Sequence, residues 1–328
     1  MSNKSSVVSN TENKKGTIWS VTPVMVATAI FCCILWGSAS PAIKIAYSLF
    51  KIEASDTASR LMLAGARFML AGVMTIVLGS LLAKKTLVPQ KESFKYIVIL
   101  SLFQTIGQYY FFFMSLANTS GVRGSIINAS GNFLAPLFAI FLFRLENFNI
   151  KKMIGCIVGF AGIILFFGGS SALSSGGQMT LAGEGAMLGA AFFYAISGCS
   201  IKLFSKHENP VVLSGYQFAL GGAVLFIIGL VMGGNLTFYS TGCYLNLLYM
   251  GFISAGAYTL WGVLLKYNPV SKVSVLGFVN PIMGVLLSAL FLGESTEAFS
   301  ITSVLALLLV SAGIIIVNAK FGVEHLEK

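Results

Sequence analysis

Apolar residues fall in long unbroken runs along this chain, separated by short polar joints. A hydrocarbon core about 30 Å thick needs about 20 apolar residues per helix. Ten segments meet that measure: 24–43, 59–82, 95–116, 123–143, 153–169, 183–202, 210–232, 243–265, 272–292 and 300–319. Most joints are short, which makes consecutive helices antiparallel neighbours. The longest, 44–58 and 83–94, are polar and are expected at the membrane surface. The run that follows the polar first 23 residues is too long for a signal-peptide core and lacks a convincing small-x-small cleavage pattern. It reads as a retained first span.

Composition agrees with this pattern. Hydrophobic residues make up 56% of the 328 residues and charged residues 10%, where a soluble domain carries roughly a quarter charged. A chain so poor in charge cannot cover its own surface in water, so lipid must solvate most of it. The net charge of +10 does not point to nucleic acid, because the charges sit in short loops with no basic stripe and no aromatic-basic interleaving. Cys32, Cys33, Cys156, Cys199 and Cys243 have no paired metal-ligand spacing, and His207 and His325 fall in a loop and the C-terminal tail. Neither a metal nor a cofactor is expected, and no nucleotide-binding loop is present to support direct use of ATP.

Loop charges orient the spans. Lys and Arg favour cytoplasmic loops. With the N-terminus inside, 16 of the 21 basic residues fall on the inner side and four on the outer side, leaving Arg67 within a span. The bias predicts both termini in the cytoplasm and an even number of spans.

The two halves of the chain repeat one another. Trp36-Gly37 is followed by Lys44, and Tyr194-Ala195 at the same interval by Lys202. Ala66-Arg67-Phe68 with Gly72 matches Tyr216-Gln217-Phe218 with Gly222. Pro136 and Pro281 lie in the fourth and ninth spans, and Ala161-Gly162-Ile163-Ile164 matches Ala312-Gly313-Ile314-Ile315. Each half holds an odd number of spans, so the second must insert upside down relative to the first. The predicted fold is an all-α membrane protein of ten transmembrane helices, built as two inverted-topology five-helix repeats. Such repeats place a substrate site near the midplane between the halves.

The sequence resembles the drug/metabolite transporter superfamily, specifically its EamA-type members, over roughly residues 24–319. The residues that carry the resemblance are Trp36-Gly37 with Lys44, Ala66-Arg67-Phe68, Gly293-Glu294, and the glycine-rich ends of the fifth and tenth spans. It implies an exporter or permease for small metabolites in a prokaryotic inner membrane, with helices of both halves lining a central cavity. The corresponding division is a tail at 1–23, a first repeat at 24–169, a linker at 170–182, a second repeat at 183–319 and a tail at 320–328. One departure is visible: Pro281 precedes Glu294 by thirteen residues, but Pro136 precedes Glu146 by ten, and Leu145 stands where the second half has Gly293. Either the fourth helix is a turn shorter at its inner end, or Pro136 is not the positional twin of Pro281.

Candidate functional residues follow from polarity at membrane depth. Arg67 lies about 12 Å along its helix axis, where a charge is costly unless paired or facing water. It reads either as a contact to an anionic substrate group or as a structural arginine that bonds backbone carbonyls. Gln104 and Gln108 share a face of the third span, and Asn128 and Asn132 share a face of the fourth; same-face amides in lipid point inward. Trp36, Tyr109, Tyr110, Tyr194, Tyr258 and Trp261 are candidate cavity walls, Ser254 shares a face with Tyr258, and Asn280 precedes Pro281. Pro136 and Pro281 are expected helix kinks that free the carbonyls of Asn132 and Gly277. Glu184 is a candidate coupling carboxylate, with a solvated helix-start residue as the alternative reading. Gly155/Gly159 and Gly185/Gly189 predict close helix approach, and Gly176-Gly177 a linker outside the membrane.

The function expected is secondary transport of a small metabolite by alternating access through a cavity between the repeats. The alternatives are a channel-like facilitator and an intramembrane enzyme. The second would need acid–base groups or metal ligands grouped at membrane depth, and the sequence offers no in-span histidine or aspartate. The partners expected are a small molecule that could carry an anionic group and the lipid bilayer, and the protein is expected to be a monomer.

Overall fold

The computed structural model of the protein describes residues 18–145, 147–173, 180–268, 273 and 275–318. The tails, Glu146 and the Gly176-Gly177 linker lie outside the described residues. The architecture is all α, and the protein is a multi-pass membrane protein. Seven described helical stretches are long and apolar enough to cross a bilayer, and Leu276–Leu292 and Ile301–Val317 are shorter apolar helices.

The first stretch, Thr22–Leu49, divides into α1 (Thr22–Gly37) and α2 (Ala39–Leu49) at Ser38. After it come α3 (Thr57–Ala83), α4 (Phe94–Leu100), a π-helical segment Ser101–Gly107 and α5 (Gln108–Asn118). The fourth stretch is α6 (Gly121–Asn128) and α7 (Gly131–Phe141), and α8 covers Ile150–Leu173. A π-helical turn, Leu181–Gly185, leads into α9 (Ala186–Phe204), followed by α10 (Pro210–Val231) and α11 (Thr241–Tyr267). A 3₁₀ turn, Val275–Phe278, precedes α12 (Val279–Leu292); α13 (Ser295–Ala298) and α14 (Ile301–Asn318) complete the chain.

Local chemistry sets several of these ends. Asp56 caps α3 by accepting from the Ser59 N–H at 2.9 Å, and Ser120 caps α6 by accepting from Arg123 N–H at 3.0 Å. Such caps satisfy donors that the first helical turn leaves open. Asn209 caps α10, whose first residue is Pro210, a position where the missing N–H costs nothing. Gly293 ends α12 at φ 71°, a left-handed conformation that glycine adopts without strain.

Three expectations about helix boundaries need correction. The stretch 44–58 is not a surface joint throughout, because α2 continues to Leu49 and carries Lys44 inside a helix. Arg60, inside the second span expected at 59–82, is helical and only 1% exposed. Helix α8, Ile150–Leu173, contains the fifth span read at 153–169. Pro281 does not kink a helix interior: it sits in the first turn of α12, where no intrahelical N–H bond is lost, and the irregularity precedes it at Val275–Phe278. In the fourth stretch the break lies at Ala129-Ser130, ahead of Pro136, which stands inside α7.

Packing pairs α3 with α10 and α8 with α14, while α9 packs on α5 and α7, and α11 and α12 pack on α1. The pairings repeat when the first and second halves are exchanged. Glycines make the α3–α10 seam. A Cβ at Gly72 would lie 2.5 Å from Ala219 N, and one at Gly222 would lie 2.5 Å from Met69 N. Gly155 and Gly313 bring α8 and α14 together in the same way, each against the other's carbonyl.

Candidate functional site

Residues of seven helical stretches converge on one cavity of about 130 Å³. Trp36 and Ala39 enter from either side of the Ser38 break, where Ser38 Oγ donates to the Leu35 carbonyl at 2.7 Å and meets Tyr249 Oη at 2.7 Å. Asn128 and Asn132 flank the break in the fourth stretch. There Asn132 N–H and Phe133 N–H bond three residues back, to Ala129 and Ser130. Gly277 and Asn280 come from the turn before α12 and its first turn. Gln108, Tyr109 and Phe112 lie just beyond the π-helical segment of the third stretch. Irregular backbone is tolerated at membrane depth where protein or a cavity surrounds it, and here it surrounds the cavity on four stretches.

Aromatic rings build one wall. Trp36 packs against Tyr258 at 5.4 Å and Trp261 at 5.1 Å between centroids, and the Tyr109 and Tyr258 hydroxyls lie 3.4 Å apart. Tyr194 completes the lining from α9.

Arg67 supplies the cavity's charge and is 1% exposed. Its Nε donates to the Met250 carbonyl at 3.2 Å and its Nη2 to Ser254 Oγ at 3.1 Å. The guanidinium lies 5.0 Å from the Phe68 ring centre and 5.4 Å from that of Tyr109, a cation–π arrangement. Among the described residues, Arg67 Nη1, Trp36 Nε1 and Gln108 Oε1 have no hydrogen-bond partner although buried. The lining residues thus carry two buried donors and one buried acceptor that no described protein group satisfies.

Of the expected site residues, Trp36, Arg67, Gln108, Tyr109, Asn128, Asn132, Tyr194, Tyr258, Trp261 and Asn280 line this cavity. Gln104 does not. Its Oε1 accepts from Gln217 Nε2 at 3.0 Å, and the Gln217 Oε1 accepts from Thr105 Oγ1 at 2.5 Å, so the amide is committed to the interface with α10. The shared-face argument failed because the π-helical segment Ser101–Gly107 alters the turn between Gln104 and Gln108. Glu184 lies away from the cavity and is not solvated: it is 3% exposed, accepts from Thr119 Oγ1 at 2.9 Å and from Thr180 N–H at 3.0 Å, and pairs with Arg123 at 3.4 Å. Tyr110 faces a separate apolar groove.

The EamA-like transporter family matches the chain twice, over residues 23–168 and 181–319. The chain belongs to that family. A WAT1-related chloroplastic protein of Arabidopsis thaliana is 30% identical over 58% of this chain, which spans about half of that relative, 47% of its length. The uncharacterized transporter YvbV of Bacillus subtilis is 24% identical over 88% of this chain and 90% of its own. The uncharacterized inner membrane transporter YedA of Escherichia coli K12 is 26% identical over 80% and 81%. A solved crystal structure superposes with a TM-score of 0.62 at 20% identity, covering 89% of this chain and 94% of the other; it shows the shared fold alone. The family and these relatives make this EamA-like protein a membrane transporter.

In this EamA-like chain, the sequence reading missed Ala39 and Phe112 as lining residues. An alanine and a phenylalanine in an apolar run carry no polar signal. Only the helix break at Ser38 and the convergence of the third stretch bring them to the cavity.

Proposed function

We propose that this protein is a secondary transporter that carries a small metabolite by alternating access, with the cavity around Arg67 as its substrate site. In this reading the chain crosses a prokaryotic inner membrane ten times with both termini in the cytoplasm. The helix pairings, which repeat on exchange of the halves, support two inverted repeats on either side of the cavity.

The observation that carries the site is the buried Arg67 Nη1, open beside an aromatic wall, together with the open donor Trp36 Nε1. A guanidinium with an unpartnered Nη1 suits a carboxylate or phosphate oxygen, and among the described residues no acidic side chain lines the cavity to attract a cation. The Gln108 Oε1 acceptor adds a place for a substrate donor.

A ligand that binds the folded state raises apparent stability. Thermal unfolding of the purified protein with panels of carboxylates, neutral solutes and organic cations is expected to show shifts with carboxylates and none with cations. Flux of the shifting solute into proteoliposomes then tests transport. Folded protein that moves no member of a broad panel would overturn the reading, and unitary currents from pure protein would favour a channel.

A further inference from the structure

Three ion pairs among the described residues join the first half of the chain to the second and share one cluster at an end of the bundle. Arg123 Nε donates to Glu297 Oε1 at 2.6 Å, Arg123 Nη1 lies 3.4 Å from Glu184 Oε1, and Lys44 Nζ lies 3.9 Å from Glu294 Oε1. Backbone groups tie the same cluster tighter. Glu294 accepts from Gly121 N–H at 3.1 Å and Val122 N–H at 2.9 Å, so a carboxylate of the second half caps the α6 N-terminus of the first. Lys44 also donates to the Thr119 carbonyl at 2.7 Å, and Thr119 Oγ1 donates to Glu184.

The cluster sits above the cavity on the very helices that line it. Lys44 is eight residues beyond Trp36, and Gly121 is seven before Asn128, which is about 12 Å and 10 Å along the helix axes. Val122, Ile126, Val285 and Ala289 form a buried apolar cluster between α6 and α12. Gly121 packs against Ser288, and Gly37 packs on Met283 and Gly284. The side chains that grip at this end are partly buried: the Glu184 side chain is 5% and that of Glu294 15% exposed, so solvent screens them less than a surface pair.

We propose that Arg123, Lys44, Glu184, Glu294 and Glu297 form a latch that holds the cavity shut on the outer side, and that the cavity reaches the outside only when this latch parts. The proposal rests on the alternating-access reading above. Glu184 on this view serves in the latch, through its bonds to Arg123 and Thr119, and carries no coupling ion.

The test reads accessibility and needs no substrate. Ala39, which lines the cavity, is replaced by cysteine in the full chain. All five native cysteines are buried, and the chain without the reporter supplies the background. A membrane-impermeant maleimide is applied to right-side-out and to inside-out vesicles. Arg123→Gln is expected to raise labelling from outside about tenfold, the response to about 1.4 kcal/mol of lost latch energy, and to lower labelling from inside. Arg123→Lys, which keeps charge without the fork, should fall between. Glu297→Gln, at a more exposed partner, gives the same signs should Arg123→Gln fail to fold. Labelling that rises equally from both sides would show a loosened fold and overturn the latch, as would folded variants with unchanged labelling. Failure of the latch leaves flux through the cavity intact as a separate measurement, and absence of flux leaves the labelling result standing.

Discussion

Gln217 Nε2 donates to Gln104 Oε1 at 3.0 Å across the interface between α10 and the third stretch. Gln217 is the counterpart of Arg67 when the halves are aligned, and Arg67 makes the corresponding bond to Ser254 Oγ at 3.1 Å on α11. One position therefore carries a neutral amide bonded through both its nitrogen and its oxygen in the second half, and a charged group with an unpartnered Nη1 in the first. Gln217→Leu should lower thermal stability by about 0.6–2 kcal/mol, the range of buried polar contacts between membrane helices, and leave the carboxylate-induced thermal shift in place. Unfolding curves with and without carboxylate measure both.

Arg67→Ala should remove that shift and the flux together. Arg67→Lys should retain part of each, because lysine keeps the charge and loses the planar fork. Ser254→Ala frees Nη2 without touching the charge. It is expected to weaken ligand affinity about tenfold, or about 1.4 kcal/mol, as measured by titrating the thermal shift.

The α3–α10 seam should reject any added side chain. Gly72→Leu and Gly222→Leu would each drive a side chain into the facing backbone and should destabilise by about 3 kcal/mol or more. Gly198 on α9 has nothing within 4 Å of a notional Cβ, so Gly198→Ala should be neutral or stabilising by up to about 1 kcal/mol through helix propensity. Thermal unfolding in one detergent compares all three.

Glu208, in the loop before α10, reaches the loop before α4 by accepting from the Gln90 N–H at 2.9 Å. Partial burial pushes its carboxyl up, and hydrogen bonds from the Gln90 and Asn209 N–H groups and from Ser93 more than offset this, leaving it below its ordinary value. A depressed carboxylate stabilises the fold above its unfolded pKa, and that contribution is lost as pH falls through the lowered folded value. The wild-type melting temperature should therefore drop as pH falls below about 4.5, near the ordinary value of 4.5. Glu208→Gln should show a smaller drop over the same range.

The helical class was legible because apolar runs of membrane length survive any packing arrangement. Arg67 was legible because a charge at membrane depth stands out against its neighbours. Helix breaks were harder to read. The prolines marked the right stretches, but the irregularities lie at Ala129-Ser130 and Val275–Phe278, where backbone geometry leaves no strong residue signature. Gln104 was misplaced for the same reason, since a π-helical segment shifts a face without changing the sequence pattern. The Glu184 environment depends on Arg123 and Thr119, 61 and 65 residues away, a contact no local pattern encodes.

The glycine seam between α3 and α10 has a mechanical consequence. Each helix presents bare backbone to the other at Gly72 and Gly222, so sliding along the pair or prying it apart would open voids that lipid and side chains cannot fill. Rotation about the line they share disturbs the seam least. The pair is therefore shaped as an axle and not as a slide or a hinge.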